Sequence, residues 1–226
     1  MTKGLLLKGH YTYSRGRLLG TNYELNTPEF QARNWQRQGA GAQGAAGIRE
    51  HNFQMAAVYQ LPWVSDGSGG IGRQLINDWQ ISGVLALLSG EPFTVTADAT
   101  ALNTPGNVMT ADLVGSLNRI GAIGAEGFYY DPTAFAQPSC TLCLGNTVLN
   151  QFTGPGIVNL DVAVLRSFLL GRTRRLEARI DASNVTDTPK FGNPTSLITS
   201  GDFMRVFTLN PRFTERQVRL SLRFSF

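Results

Sequence analysis

The sequence predicts an all-β chain: an antiparallel, up-and-down transmembrane β-barrel segment of about six strands, an incomplete barrel with long loops at one end. Three observations predict it. Six stretches alternate apolar and polar residues with period two, the pattern of a strand with one apolar and one wet face. The connections between them are long at one end and short at the other, as in barrels whose strands run up and down through a bilayer. Aromatic residues close the strands where the short connections join them.

The first stretch, 5–14, sets Leu5, Leu7, Gly9, Tyr11 and Tyr13 against Leu6, Lys8, His10, Thr12 and Ser14. The second, 52–63, sets Phe53, Met55, Ala57, Tyr59, Leu61 and Trp63 against Asn52, Gln54, Ala56, Val58 and Gln60. In the third, 78–90, Trp79, Ile81, Gly83, Leu85 and Leu87 share a parity, with Gln80 and Ser82 opposite. The fourth, 158–164, places Val158, Leu160, Val162 and Val164 against Asn159, Asp161 and Ala163. The fifth, 176–183, places Leu176, Ala178, Ile180 and Ala182 against Glu177, Arg179, Asp181 and Ser183. The sixth, 216–226, carries Val218, Leu220, Leu222, Phe224 and Phe226 on one face and Gln217, Arg219, Ser221, Arg223 and Ser225 on the other. About ten residues at ~3.3 Å, tilted by about 40°, rise roughly 25 Å, the height of a membrane barrel's apolar band.

The segments 15–50, 91–156 and 187–214 are long and rich in Gly, Asn, Pro and Thr, whereas 64–77 and 169–174 are shorter. With alternate strands running up and down, all long connections fall at one end. Trp63, Trp79, Phe168 and Phe226 then fall at a single level at the other end, on the lipid-facing parity, as an interfacial girdle requires. Tyr11 and Tyr13 sit at the opposite level. Lys8, His10, Glu177, Arg179, Asp181, Arg219 and Arg223 take the lumen-facing parity, where the acids and arginines form a cross-strand charge ladder. Six strands are too few to close, since about eight already leave an interior just wide enough for side chains. The competing reading is a soluble secreted β-sandwich serving as a binding or adhesion module, which also alternates.

Composition agrees with strands in a membrane and excludes helices there. Of 226 residues 42% are hydrophobic and 16% charged, against roughly 25% charged in an average soluble domain. The longest wholly apolar run, 84–88, is far below the ~20 residues a membrane helix needs. The net charge of +4 comes from scattered Lys and Arg with no basic run, so nucleic acid is not an expected partner.

The stretches "DWQISGVLALLSGEPFTV", "YYDPTAFAQP", "GPGIVNLDVAVLRSF", "LEARIDASNVTDTPKFGNPTS" and the final "RQVRLSLRFSF" together resemble the C-terminal barrel portion of TonB-dependent outer-membrane receptors, in the subgroup with a carboxypeptidase-regulatory-like domain. The likeness is strongest over 78–97 and 128–226. It implies a bacterial outer-membrane location and uptake of a scarce nutrient such as a metal chelate, oligosaccharide or peptide. It implies that Phe226, with Phe224, Leu222 and Leu220, is the signal read by the barrel-assembly machinery. No signal peptide, energy-coupling box or plug domain is legible, so the resemblance implies that 1–226 is the C-terminal part of a longer receptor. Contact with the inner-membrane energy-coupling complex would run through N-terminal parts.

Motifs that suggest other chemistry lack its context. "GSGGIG" at 67–72 matches a dinucleotide fingerprint, but no βαβ unit surrounds it, so a turn is expected and no cofactor. Cys140 and Cys143 are two ligands where zinc needs four; a small disulfide in an exported loop or two free thiols are the alternatives, the oxidising compartment favouring the disulfide. His10 and His51 are the only imidazoles and no nucleophile elbow occurs, so the chain is not expected to be an enzyme. "NVT" at 184–186 matches a glycosylation sequon and is set aside in a bacterial outer-membrane protein.

Overall fold

The computed structural model describes residues 4–15, 17–18, 36–37, 48–61, 77–98, 109–139, 145–148, 150–170, 173–207, 209 and 215–226. Six long strands carry the fold: β1 (Leu5–Tyr13), β2 (His51–Gln60), β3 (Trp79–Leu88), β4 (Ile157–Leu170), β5 (Arg174–Ser183) and β6 (Gln217–Ser225). They form one antiparallel sheet in chain order, with β1 and β6 as its open edges. Among the described residues no second long-stranded sheet packs on this one, so the β-sandwich alternative does not describe the architecture.

Each expected strand is present. The alternation of the fourth covers 158–164 with Phe168 closing the strand, and β4 runs from Ile157 through Leu170. Beyond Val164 the alternation is interrupted: Arg166 falls on the apolar parity, and Leu165 and Leu169 on the polar one. Ladder pairing to β3 and β5 carries the strand on regardless.

Register aligns the apolar parities of all six strands. Tyr11 pairs with Phe53, Phe53 with Leu87, Leu87 with Val158; further along, Val164 pairs with Ile180 and Ile180 with Leu220. Directly opposed residues share a face, so the apolar stripes merge into one surface. That surface is uncovered: Leu5, Leu7, Ile81, Ile180, Leu220 and Leu222 are all exposed. A contiguous apolar surface of this extent, on a sheet, is matched to lipid rather than water.

The buried core lies elsewhere. Phe93, Val95, Met109, Tyr129, Tyr130, Phe135, Phe152, Phe203, Met204 and Val206 are buried together, and every one comes from the connections at 89–156 and 184–216. These segments were expected as long loops. Their described residues instead form a packed cap, tied by short pairings of Pro92–Phe93 with Phe152–Thr153 and Asp112–Leu113 with Phe135–Ala136. A 3-10 turn, Pro132–Ala134, is capped by Asp131. The cap joins the sheet where 89–91 and 153–156 cross. Gly154 N–H donates to Glu91 O at 2.9 Å, and a Cβ on Gly90 would run into the Gly154 carbonyl.

Candidate functional site

The polar face of the sheet gathers the charged residues singled out in the sequence. Lys8 and His10 stand on β1 opposite Ala56 and Gln54. On β5 and β6, Glu177 stands opposite Arg223, Asp181 opposite Arg219, and Arg179 opposite Ser221. The ladder is therefore in register across the strands. The close ion pair runs along β5: Arg179 Nη2 lies 2.7 Å from Asp181 Oδ1, and its Nε donates to both carboxylate oxygens at 2.8 and 3.0 Å. Arg175 and Glu177 are looser at 3.8 Å. A concavity of about 220 Å³ opens beside this pair, with Ser82, Asp161, Arg179, Asp181 and Ser183 in its wall.

Polar groups also tie the sheet to the cap. Asp161 Oδ1 accepts from the Asn184 amide at 2.8 Å, and Lys190 Nζ donates to Asn159 Oδ1 at 2.5 Å. Lys190 is buried, and desolvation pushes its ammonium below the usual lysine range against the pull of Asp161. Asn184 is buried too, with its side-chain amide bonded to the Thr188 backbone in both directions, so the sequon asparagine is a structural residue. At the same end Arg49 bonds the Ser89 carbonyl and pairs with Glu91 at 2.9 Å.

The apolar face places the expected girdle residues as follows. Trp79 opens β3, and Phe168 lies on β4 with Leu176 and then Phe224 beside it across the ladder. Phe226 follows β6 and is 95% exposed, 6.1 Å from the Phe224 ring. Trp63 lies outside the described residues, as do Cys140, Cys143 and the glycine-rich 67–72. At the other end Tyr11 and Tyr13 flank His51, with the Tyr11 hydroxyl 2.8 Å from His51 Nδ1.

Two groups of residues were not found by sequence reasoning. Arg166 is directly opposite Trp79, and its guanidinium stacks on both Trp79 and Phe168. A base on the apolar parity of a strand is the signal that would have found it. The cap aromatics are the second group. Tyr129 and Tyr130 pack inside the cap, and Phe128 lies under Arg205. Burial pushes the Tyr129 hydroxyl above the usual tyrosine range, although Arg119 over its ring pulls the other way. Among the described residues no three His, Cys, Asp or Glu side chains converge as metal ligands, and no helix is long and apolar enough to cross a membrane.

Comparison with known families gives a match over residues 1–219 to the model described as "Outer membrane beta barrel domain". No curated protein and no solved structure shows significant similarity to the chain.

Proposed function

The chain belongs to the outer membrane beta barrel domain family, and on that premise we propose that it forms the C-terminal wall and extracellular loops of a TonB-dependent receptor. Its place is the bacterial outer membrane. In this reading 1–226 is one part of a longer receptor that takes up a scarce nutrient: a metal chelate, an oligosaccharide or a peptide. The polar face lines the lumen, the apolar face meets lipid, and the cap of long connections faces outside. The girdle is Trp63, Trp79, Phe168 and Phe226. The terminal Phe226, with Phe224, Leu222 and Leu220, is the assembly signal. Energy arrives through N-terminal parts that contact the inner-membrane complex. The chain contributes binding and passage, with no catalysis and no cofactor.

One observation carries this reading: a six-stranded sheet with an exposed apolar face, a charged opposite face in register and, among the described residues, a packed cap at the end of the long connections. A channel wall needs two faces of unlike polarity, and a receptor needs ordered surface outside. The experiment is a deletion of the encoding gene, paired with a strain lacking the energy-coupling protein. Uptake of labelled iron chelates, oligosaccharides and peptides is measured in both. Loss of the same substrate in both strains is expected. Unchanged uptake of every probe in the deletion strain, or a loss independent of energy coupling, rejects the receptor reading.

A further inference from the structure

Arg166 stands on the apolar face of β4, near the end joined by the short connections. Its guanidinium carbon is 5.0 Å from the Trp79 ring centroid and 4.1 Å from that of Phe168. The residue is 5% exposed, and Nε and Nη2 have no hydrogen-bond partner among the described residues. A guanidinium does not shed its proton, and an unpaired charge away from water is among the least stable arrangements a side chain can adopt. Stacking on rings satisfies the planes of the group and leaves its N–H edge unsatisfied. That edge needs an acceptor.

The acceptor must come from the side this face addresses. In a bilayer, a strand-end Trp sits at headgroup level, where the anionic acceptor is phosphate. Nε and Nη2 are the neighbouring donors that grip a phosphate through two parallel bonds, a fit that an ammonium lacks. We propose that Arg166, stacked between Trp79 and Phe168, holds the phosphate of a membrane phospholipid in the leaflet at the short-connection end. Both donors are buried, so entry requires Trp79 or Phe168, each partly exposed, to swing aside. The proposal rests on the membrane placement of the apolar face and not on nutrient uptake, so either can fail without the other.

The test uses the protein purified from outer membranes in mild detergent and measures retained lipid by native mass spectrometry. Wild type stripped of lipid is titrated with phosphatidylglycerol, with diacylglycerol of the same chains, and with inorganic phosphate. One phosphatidylglycerol should bind and survive collisional activation; diacylglycerol should bind at least about tenfold more weakly, having lost a charge-assisted pair. Inorganic phosphate at millimolar concentration should not displace the lipid. Arg166→Gln should lose the retained lipid, and Arg166→Lys should keep only part of it. Equal retention of diacylglycerol overturns the proposal without recourse to any variant. Displacement by inorganic phosphate shows a free-anion site instead of a lipid site. Full retention by Arg166→Gln assigns the guanidinium to another role.

Discussion

Asp181 stands directly across from Arg219 in the ladder of β5 and β6, yet its carboxylate is held by Arg179 on its own strand, 2.7 Å away. The arrangement leaves Arg219 and Arg223 as cationic neighbours of an already paired carboxylate row. It makes the polar face tolerant of one more charge and the apolar face intolerant.

The first prediction follows from that asymmetry. In the outer-membrane protein, Leu220→Arg or Leu222→Arg puts a charge on the lipid side, at about 2–4 kcal/mol near the bilayer middle. Ser221→Arg faces Arg179, whose charge Asp181 already offsets, so like-charge repulsion in this wet site should be about 1 kcal/mol or less. Heat-modifiable gel mobility of outer-membrane fractions reports folded barrel. Loss is expected for both leucine variants and retention for Ser221→Arg. Equal damage by Ser221→Arg and Leu222→Arg would show the face assignment to be reversed.

The cap should be separable from the sheet. Phe152 is 2% exposed and meets the rings of Phe93, Tyr130 and Phe135 at 5.9, 6.2 and 5.2 Å. Phe152→Ala should weaken the cap by about 3–5 kcal/mol. Gly145→Ala should act similarly, since its Cβ would run into the Thr110 and Ala111 carbonyls. Limited proteolysis of intact cells should cleave both variants faster than wild type, while the heat-modifiable band of the uncut protein persists. Wild-type cleavage rates in both would show that this core does not order the cap.

Acid should loosen the Asp131 turn. Thr133 donates to Asp131 Oδ1 from its amide at 3.0 Å and its hydroxyl at 2.6 Å, and these bonds hold the carboxyl below the usual aspartate range. A depressed folded-state value stabilises the fold above the unfolded value of about 3.9, and that stabilisation is lost as pH falls through the folded one. Relative to Asp131→Asn, wild type should resist pepsin cleavage of the cap above about pH 4, and the difference should vanish at lower pH. A constant ratio across the range would show that the carboxylate contributes nothing.

How far this was legible depends on the range of each interaction. A strand's parity is written into neighbouring residues, so all six strands and the shared face of Glu177, Asp181, Arg219 and Arg223 can be read by counting, whereas which acid stands across from which arginine is set by register and cannot. The cap cannot. Phe93, Phe152 and Phe203 meet from segments far apart in sequence, through two-residue pairings too short to show a period. Arg166 was missed because reading β4 by its apolar residues, from Val164 to Phe168, passes over the one residue that breaks the alternation.

Topology can be tested at a site the cap leaves open. Gly121 and Gly124 have φ of +77° and +104°, nothing lies within 4 Å of a Cβ at either, and Ile123 beside them is exposed. An epitope inserted after Gly124 should be tolerated and should stain on intact cells. Staining only after permeabilisation would put the long connections in the periplasm and invert the topology.

The last residue separates assembly from stability. Phe226 is 95% exposed, and its ring approaches that of Phe224, itself 52% exposed. Deleting it removes little protein burial, and at an interface an aromatic contributes less than it would in a core. An effect on the assembled barrel's stability should therefore be small. An assembly signal would behave otherwise, because recognition acts before the strand is paired and does not depend on what the ring later touches. With Phe226 deleted, the yield of folded protein in outer-membrane fractions should fall, while the heat-modification midpoint of what does assemble should match wild type. Phe226→Tyr, which keeps a terminal aromatic, should restore the yield. A lowered midpoint with unchanged yield would make Phe226 a structural anchor and remove it from the assembly signal.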